Sequence, residues 1–228
     1  MRVSIRQPGY LPHMGFFKKI QSCDKFVFLD DVQYERSDWD NRNKIRTFDG
    51  SIWLTIPVHN KFGQKLNEVM ISYETNWQNK HRRSIELNYR KTPYFEKYWK
   101  EIDKILETKW ERLIDLNFAL IEYIMTQLDI TTETIRSSEM KIETVGSQRL
   151  LDICKKLKAT AYISGEMGKD YLDEAIFDNG KIKVIYENFQ HPVYHQIHGE
   201  FIPNMSIIDL LFNEGNNSKS ILSQAKIV

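Results

Sequence analysis

With 32 Lys and Arg against 31 Asp and Glu, this chain of 228 residues has almost no net charge, which argues against a nucleic-acid partner. Its two cysteines lie far apart and have no ligand partner at metal spacing, which argues against a disulfide scaffold and a zinc site. Arg6, Gln7 and Pro8 stand where a signal peptide needs an apolar core, and no apolar run approaches membrane-spanning length. We therefore expect a cytoplasmic protein without stable membrane insertion.

The first third of the chain predicts the opening of a parallel α/β sheet. Residues 2–6 alternate as a short strand, residues 13–23 have helical spacing, and residues 24–33 contain an apolar strand that ends in two aspartates. The segment 34–46 is polar and charged, and we expect a functional loop there. Residues 51–58 and 68–73 return to strand character.

The remainder predicts a helical block followed by further strand and helix alternation. Residues 77–128 are expected to form two or three helices, interrupted near Thr92-Pro93 and near Thr108. The later elements are expected as strands at 131–140, 161–165 and 181–189, helices at 147–157, 169–180 and 206–215, and a helix or partly ordered tail at 216–228. The pattern favours one α/β domain over residues 1–228 with a mostly parallel, Rossmann-like or nucleotidylyltransferase-like sheet, and 77–128 as a helical subdomain or insert.

Four polar loops follow the predicted strands and are expected to converge, because open α/β sheets bind ligands at the carboxyl ends of their strands. They are residues 7–15, 30–43, 164–171 and 190–196. Asp30 and Asp31 end a strand, where a carboxylate can hold a hydroxyl, an amine or a metal or merely cap a turn. Three arginines with two asparagines, at 36–46, fit a clamp for a diphosphate or carboxylate, or a solvated loop.

Two further loops carry candidates for phosphate binding and proton transfer. The glycine-bearing turn that begins with Ser164 and Gly165 follows a strand and opens a helix, which suits phosphate but also fits a plain tight turn. His191 is the preferred acid or base of the densest histidine cluster, since imidazole titrates in the required range. The loop offers no reliable metal spacing, and we predict no metal site.

Six motifs in order resemble the WbqC-like family of bacterial surface-polysaccharide gene clusters: IRQPGYLPHMGFFKKI, FVFLDDVQY, NRNKIR, YISGEMGKDYLDE, HPVYHQ and SIIDLLFNEG. The resemblance implies a place in O-antigen or related glycan biosynthesis more than a particular reaction. Arg6 stands where the family pattern has histidine, and His13 where it has tryptophan. A mechanism that needs a histidine at the end of the first strand is therefore in doubt.

A shorter stretch, Pro12-His13-Met14-Gly15-Phe16, is similar to the His-x-Gly-His signature of nucleotidylyltransferases and ATP-using ligases, with Phe16 in place of the second histidine. In those enzymes the glycine lets a phosphate approach the start of a helix.

Three functions fit these features. The first is N-acyl or aminoacyl transfer to the amine of a nucleotide-linked amino sugar, the second is an ATP-using ligase or nucleotidyl transfer enzyme, and the third is a non-catalytic module that binds a nucleotide sugar. The sequence is compatible with acyl-CoA, a carrier-protein thioester or ATP as the donor. It is also compatible with a homodimer or with an acyl carrier protein as the protein partner. The candidate catalytic residues are His191, Asp31, Asp30 and His13, and the candidate substrate and phosphate ligands are Arg6, Gln7, Tyr10, Gln33, Arg36, Trp39, Asn41, Arg42, Asn43, Ser164, Gly165, Lys169, Tyr171, Tyr194 and Gln196.

Overall fold

Five parallel strands form the central sheet, which confirms the predicted α/β class. The computed structural model describes residues 1–36 and 38–227. Its strands are β1 (Arg2–Arg6), β2 (Lys25–Phe28), β3 (Arg42–Thr47), β4 (Gly50–Thr55), β5 (Val58–His59), β6 (Met70–Ile71), β7 (Glu133–Arg136), β8 (Ala161–Gly165), β9 (Lys183–Glu187), β10 (Phe189–Gln190) and β11 (Lys226–Ile227). The central sheet has the order β7-β2-β1-β8-β9, and each neighbouring pair is parallel. This is the strand order of a Rossmann-like fold.

Helices cover both faces of this sheet. They are α1 (Met14–Gln21), α2 (Trp77–Tyr89), α3 (Phe95–Glu107), α4 (Leu113–Gln127), α5 (Gly146–Lys156), α6 (Glu174–Asn179), α7 (Ile207–Glu214) and α8 (Asn217–Gln224). Val3, Ile5 and Val27 belong to the apolar core that includes α5 and α6. On the opposite face the ring of Phe26 contacts that of Phe16 in α1, with centroids 5.8 Å apart. Burial on both faces explains the near-continuous apolar strands of the sequence.

The segment 77–128 forms three helices, and the breaks lie where the sequence predicts them. The turn between α2 and α3 contains Thr92 and Pro93, and α3 is capped by Thr108. These helices pack on the sheet face that carries α1, because Phe118 of α4 meets Phe28 of β2 with ring centroids 5.1 Å apart. None of the helices described within residues 1–36 and 38–227 is long and apolar enough to cross a membrane.

Two local predictions are wrong. The end of the predicted loop 34–46 is strand β3, which pairs antiparallel with β4 because Ile45 and Leu54 are buried beneath the hairpin. The helix expected from Lys169 begins only at Glu174, after a short 3-10 helix at 166–170. Asp173 determines that start, since its side chain accepts a hydrogen bond from the backbone N–H of Ala175 at 3.1 Å.

Candidate functional site

A narrow pocket at the carboxyl edge of the sheet is enclosed by two segments of the chain, residues 6–16 and residues 38–43. The strand order reverses direction between β1 and β8, which is where open α/β sheets bind their ligands. This Arg6 pocket has a volume of about 50 Å³ and is lined by Arg6, Gln7, Gly9, Pro12, His13, Phe16, Asp38, Trp39, Asp40 and Asn43. A water molecule takes roughly 30 Å³ of liquid volume, so only a small group of a ligand enters the pocket.

Arg6 is the cation of the pocket. It is the last residue of β1, and its guanidinium carbon lies 5.9 Å from the centroid of the Phe16 ring. Burial lowers its pKa, and the negative charges of Asp38 and Asp40 oppose that shift, but arginine remains charged at any physiological pH. Within residues 1–36 and 38–227 the guanidinium has no hydrogen bond or ion pair. It is therefore available to an anionic ligand.

Asp40 is the unusual acid of the pocket. Its side chain is buried, and its Oδ2 has no hydrogen-bond partner among the residues that the structure describes. Burial raises the pKa of Asp40 to about 7, repulsion from Asp38 and Glu35 adds to the shift, and Arg6 opposes it. A carboxyl group that titrates near neutrality can accept or donate a proton at physiological pH.

Asn117 of α4 holds Asp40 and the opposite wall of the pocket together. Its Nδ2 donates to the backbone carbonyl of Asp40 at 2.8 Å and to that of Pro8 at 3.0 Å. The two segments also join directly, since the N–H of Tyr10 donates to the carbonyl of Trp39 at 3.1 Å. Gly9 is required at this approach, because a Cβ there would lie 2.9 Å from the same oxygen. The pocket is thus fixed by the helical insert as well as by the sheet.

His13 caps α1 and is neutral. Its Nδ1 accepts a hydrogen bond from the N–H of Gly15 at 3.1 Å, so the ring proton resides on Nε2. Burial lowers the pKa of His13 to about 3, and the neighbouring Arg6 and His191 add to the shift. His13 therefore offers a fixed N–H donor to the pocket and no charge.

Replacing Gly15 with alanine tests the packing around this cap. The new Cβ would lie 2.7 Å from Cε1 of His13 and 2.9 Å from Cδ1 of Phe189. Both distances are too short, so we expect the free energy of unfolding to fall by about 1–3 kcal/mol, the usual range for overpacking. Urea denaturation measures it. If the His13 ring is the obstacle, the same substitution costs less in a His13→Ala background; equal costs in both backgrounds would contradict this account.

Trp39 and Asn43 complete the walls, and both were predicted from sequence. Trp39 is 38% exposed, and its ring packs on that of Trp53 with centroids 5.2 Å apart. Asn43 supports the opposite segment, because its Nδ2 donates to the carbonyl of Leu11 at 2.7 Å. The wall formed by Trp39 can accept the apolar face of a sugar ring or a base.

The predicted base His191 lies next to His13, outside the pocket lining. Its ring is surrounded by Phe189 and Phe201, with centroids 5.6 and 5.3 Å away. Nδ1 lies 2.9 Å from the carbonyl of Pro192, and the buried Nε2 has no partner in the described part of the chain. Burial lowers the pKa of His191. A direct role in proton transfer stays a prediction.

Asp30 and Asp31 point to a different part of the edge. Asp30 accepts hydrogen bonds from the backbone N–H and the hydroxyl of Ser138, at 2.8 and 2.7 Å. Asp31 pairs with Arg149 of α5 at 2.5 Å. These contacts connect β2 to the turn after β7 and to α5. Both carboxylates thus have structural partners, and neither lines the Arg6 pocket.

The predicted arginine clamp is dispersed. Arg46 donates to four backbone carbonyls of the β3–β4 turn and of residues 198 and 200. Arg36 donates to Oδ1 of Asn60 at 3.3 Å, and Arg42 lies over the Trp53 ring at 4.4 Å. Asn41 donates to the carbonyl of Ile56 at 2.8 Å. The structure therefore brings Arg6, and not these three arginines, to the pocket.

Other predicted ligands have mainly structural contacts. The hydroxyl of the buried Tyr10 is hydrogen-bonded to Nδ1 of His81 at 3.0 Å. Gln33 donates to Glu35 at 3.2 Å. Tyr194 and Gln196 donate to Asp209 of α7, at 2.6 and 2.8 Å.

The 164–171 loop reaches the site from the neighbouring strand. Lys169 lies 3.7 Å from Glu166 and near the Tyr186 ring. Tyr171 is exposed and close enough to affect the pKa of Arg6. Gly165 ends β8, and Ser164 packs so closely on Gly168 that a Cβ there would lie 2.1 Å from its Oγ. Glycine is therefore required at position 168 for this turn.

Sequence reasoning missed Asp40, Asp38, Asn117 and Lys19. The two aspartates lie in the segment that was assigned to an arginine clamp, and their signal was their alternation with Trp39 and Asn41. The feature that could have identified Asn117 is that it is a lone asparagine on the wide apolar face of α4. In the described part of the chain, no group of three or more His, Cys, Asp or Glu side chains is arranged to hold a metal ion.

Comparison with known proteins places the chain in a family. The sequence matches the WbqC-like protein family over residues 7–221. It is 36% identical over 225 residues to the uncharacterized protein Rv1507c of Mycobacterium tuberculosis, and the alignment covers 97% of each chain. No solved structure matches the chain at a significant level. Since the family match covers nearly all of its residues, the chain belongs to the WbqC-like protein family.

Proposed function

We propose that this protein is an enzyme of glycan biosynthesis that transfers an acyl or aminoacyl group to the amine of a nucleotide-linked amino sugar. The observation that carries the proposal is the buried carboxyl of Asp40, with a pKa of about 7, beside Arg6 at the reversal point of a parallel sheet; among the described residues Oδ2 of Asp40 has no hydrogen bond and Arg6 has no ion pair. Such pairs of perturbed and opposite groups are typical of catalytic sites. The resemblance to polysaccharide gene-cluster proteins supports the choice of substrate.

Each group in the Arg6 pocket has a task in this reaction. Arg6 binds a phosphate of the nucleotide through charge-assisted hydrogen bonds. Asp40, as carboxylate, takes a proton from the sugar ammonium, because only the neutral amine is a nucleophile. Asp40 passes this first proton to solvent. The nitrogen lone pair then attacks the acyl carbon, Asp40 takes the second proton from the nitrogen as the C–N bond forms, and the leaving thiolate takes that proton from Asp40 as the C–S bond breaks, so that a neutral amide and a thiol remain. The N–H at Nε2 of His13 is the donor for the transient oxyanion.

The size of the pocket agrees with this assignment of roles. About 50 Å³ admits only the ends of a ligand, so the amine enters as far as Asp40 and a phosphate oxygen as far as Arg6, while the sugar between them lies against the exposed face of Trp39. The nucleotidyl-transfer alternative has less support. The N–H of Gly15 is occupied by His13, and Phe16, in place of the second histidine, is buried against Phe17 and Phe26. No phosphate-binding donor is left at that glycine.

The reaction is tested directly with purified protein. We would incubate it with uridine- and thymidine-diphosphate amino sugars and with acyl-CoA or aminoacyl thioester donors, and follow amide formation by mass spectrometry. The same sugars with an already acetylated amine serve as the control. Amide formation with the free amine supports the proposal. Binding without turnover across the donor panel would leave the non-catalytic binding module as the better account.

Replacing Arg6 with glutamine tests the anion site. Loss of one charge-assisted contact of about 1.5–3 kcal/mol predicts an affinity for the nucleotide sugar that is roughly 10- to 150-fold weaker. Isothermal titration calorimetry measures it. Arg83→Gln, at an exposed position on α2, is the matched control and is expected to keep wild-type affinity. Equal affinity of the Arg6 and Arg83 variants would remove Arg6 from the site.

A further inference from the structure

A second cation lies near Arg6 and has no ion pair within the described residues. Lys19 of α1 is only 8% exposed, which is rare for a lysine. Its Nζ faces the end of β8, because a Cβ built on Gly165 would find that nitrogen at 3.7 Å and no nearer atom. Within residues 1–36 and 38–227, Lys19 has no side-chain hydrogen bond and no ion pair.

The sheet brings Lys19 and Arg6 to one crevice. β1 and β8 are parallel neighbours with Ser4 opposite Ile163, and Arg6 and Gly165 are the last residues of these two strands. Burial lowers the pKa of Lys19 to about 8, and the nearby charge of Arg6 adds to the shift. Two buried cations that repel each other destabilise a fold unless an anion lies between or beside them.

In the described part of the chain no acidic group forms an ion pair with Lys19. Glu187, at the end of β9, is half-buried and raises the pKa of Lys19, but it makes no ion pair with Lys19 among the described residues. Burial raises the pKa of the Cys23 thiol to about 12, so that thiol is uncharged. Lys18, on the same helix, points away and donates to the carbonyl of Ser223 at 2.8 Å. The carboxylates near the two cations are thus Glu187 beside Lys19 and Asp38 and Asp40 beside Arg6, and none of them forms an ion pair with either cation within the described residues.

We propose that Lys19 and Arg6 together bind the two phosphate groups of a nucleoside diphosphate, so that the substrate is diphosphate-linked and not monophosphate-linked. The proposal rests on the function proposed above and specifies its substrate class. Within the described residues neither cation has an ion pair; Arg6 ends β1 and Lys19 faces the end of β8, so each can bind one of two linked phosphates, whereas a single phosphate needs only one of them.

Inorganic pyrophosphate and orthophosphate are the probes that separate these possibilities. By calorimetry, wild-type protein is expected to bind pyrophosphate at least 10-fold more tightly than orthophosphate. Lys19→Met is expected to lose at least 10-fold in pyrophosphate affinity and most of that preference. Lys155→Met, at an exposed position of α5, is the matched control and is expected to retain both. Equal affinity of wild-type protein for the two anions, or an unchanged preference in Lys19→Met, would overturn the proposal.

Folding and function are monitored separately. Removal of a buried charge should leave Lys19→Met at least as thermally stable as the wild type without ligand; if it is unfolded, Lys19→Gln is measured in its place. If pyrophosphate binding depends on Lys19 but no amide forms in the transfer assay, the acyl-transfer proposal fails and the diphosphate site stands. If amide forms with an unchanged KM for the diphosphate sugar in Lys19→Met, the diphosphate site alone fails.

Discussion

Asp40→Asn is expected to lower kcat for amide formation by about 100-fold or more, with little change in the affinity for the nucleotide sugar, since general-base contributions are of that size. Asparagine keeps the shape of the side chain but cannot take up a proton. In the wild type the rate should rise with pH through about 7, because the ionised form of Asp40 is the base. Steady-state kinetics across pH 5–9 would measure both effects.

Asp38→Asn is the matched control for Asp40. Asp38 lines the same pocket, and its charge helps to raise the pKa of Asp40. Without that charge Asp40 ionises at lower pH, so the midpoint of the pH–rate profile should shift downwards while the plateau stays. A plateau that falls as far in Asp38→Asn as in Asp40→Asn, or full activity in Asp40→Asn, would contradict Asp40 as the base.

Stability provides a second measurement on the same carboxyl. Burial raises the pKa of Asp40 to about 7 in the folded protein, from the usual 3.8 of an aspartate. A raised folded pKa gives stability that is present below the unfolded pKa and is lost as pH rises through the folded pKa. This rise in the pKa of Asp40 corresponds to at most about 4 kcal/mol of unfolding free energy. Asp40→Asn should therefore be more stable than the wild type at pH 8, and the difference should vanish near pH 4.

For simple physical reasons, the sequence alone could predict the central strands and the side of the pocket that is formed by Arg6 and the residues after it. Parallel strands buried on both faces must be apolar throughout, which Val3, Ile5 and Val27 satisfy. Residues after such strands must lie at one edge of the sheet, so Arg6 and the segment after it could be assigned to the site. These inferences need only the local pattern and the connection of each strand to the next.

The choice among the carboxylates could not be made from sequence. Asp30 follows a strand and Asp40 precedes one, both are buried to the same extent, and only their partners distinguish them. Asp30 has Ser138 as a donor, 108 positions away, whereas Asp40 is positioned by Asn117, 77 positions away. Lys19 posed the same difficulty, because a lysine on a short helix is normally solvated, and its burial depends on packing across the whole edge.

A buried polar network that holds the 190–204 loop gives the largest expected change in stability. Asp209 of α7 is fully buried and accepts hydrogen bonds from the hydroxyls of Tyr89 and Tyr194, at 2.9 and 2.6 Å, and from Nε2 of Gln196 at 2.8 Å. Tyr89 in turn accepts from the N–H of Arg46 in β3 at 2.8 Å. The network thus joins the insert, the β3–β4 hairpin and the loop that carries His191.

Asp209→Ala is therefore expected to lower the free energy of unfolding by about 3–5 kcal/mol, because it leaves three buried donors without an acceptor and opens a cavity. Asp115→Ala is the control, since Asp115 pairs with the half-exposed Arg112 on the surface of α4 and should cost under about 1 kcal/mol. Tyr194→Phe removes only one of the three hydrogen bonds to Asp209. Its loss of unfolding free energy should therefore lie between those of Asp209→Ala and Asp115→Ala. Urea denaturation with matched m-values gives all three differences. If Asp209→Ala were no more destabilising than Asp115→Ala, water would have to replace the carboxylate, and the loop of His191 would be held by its aromatic contacts with Phe201 instead.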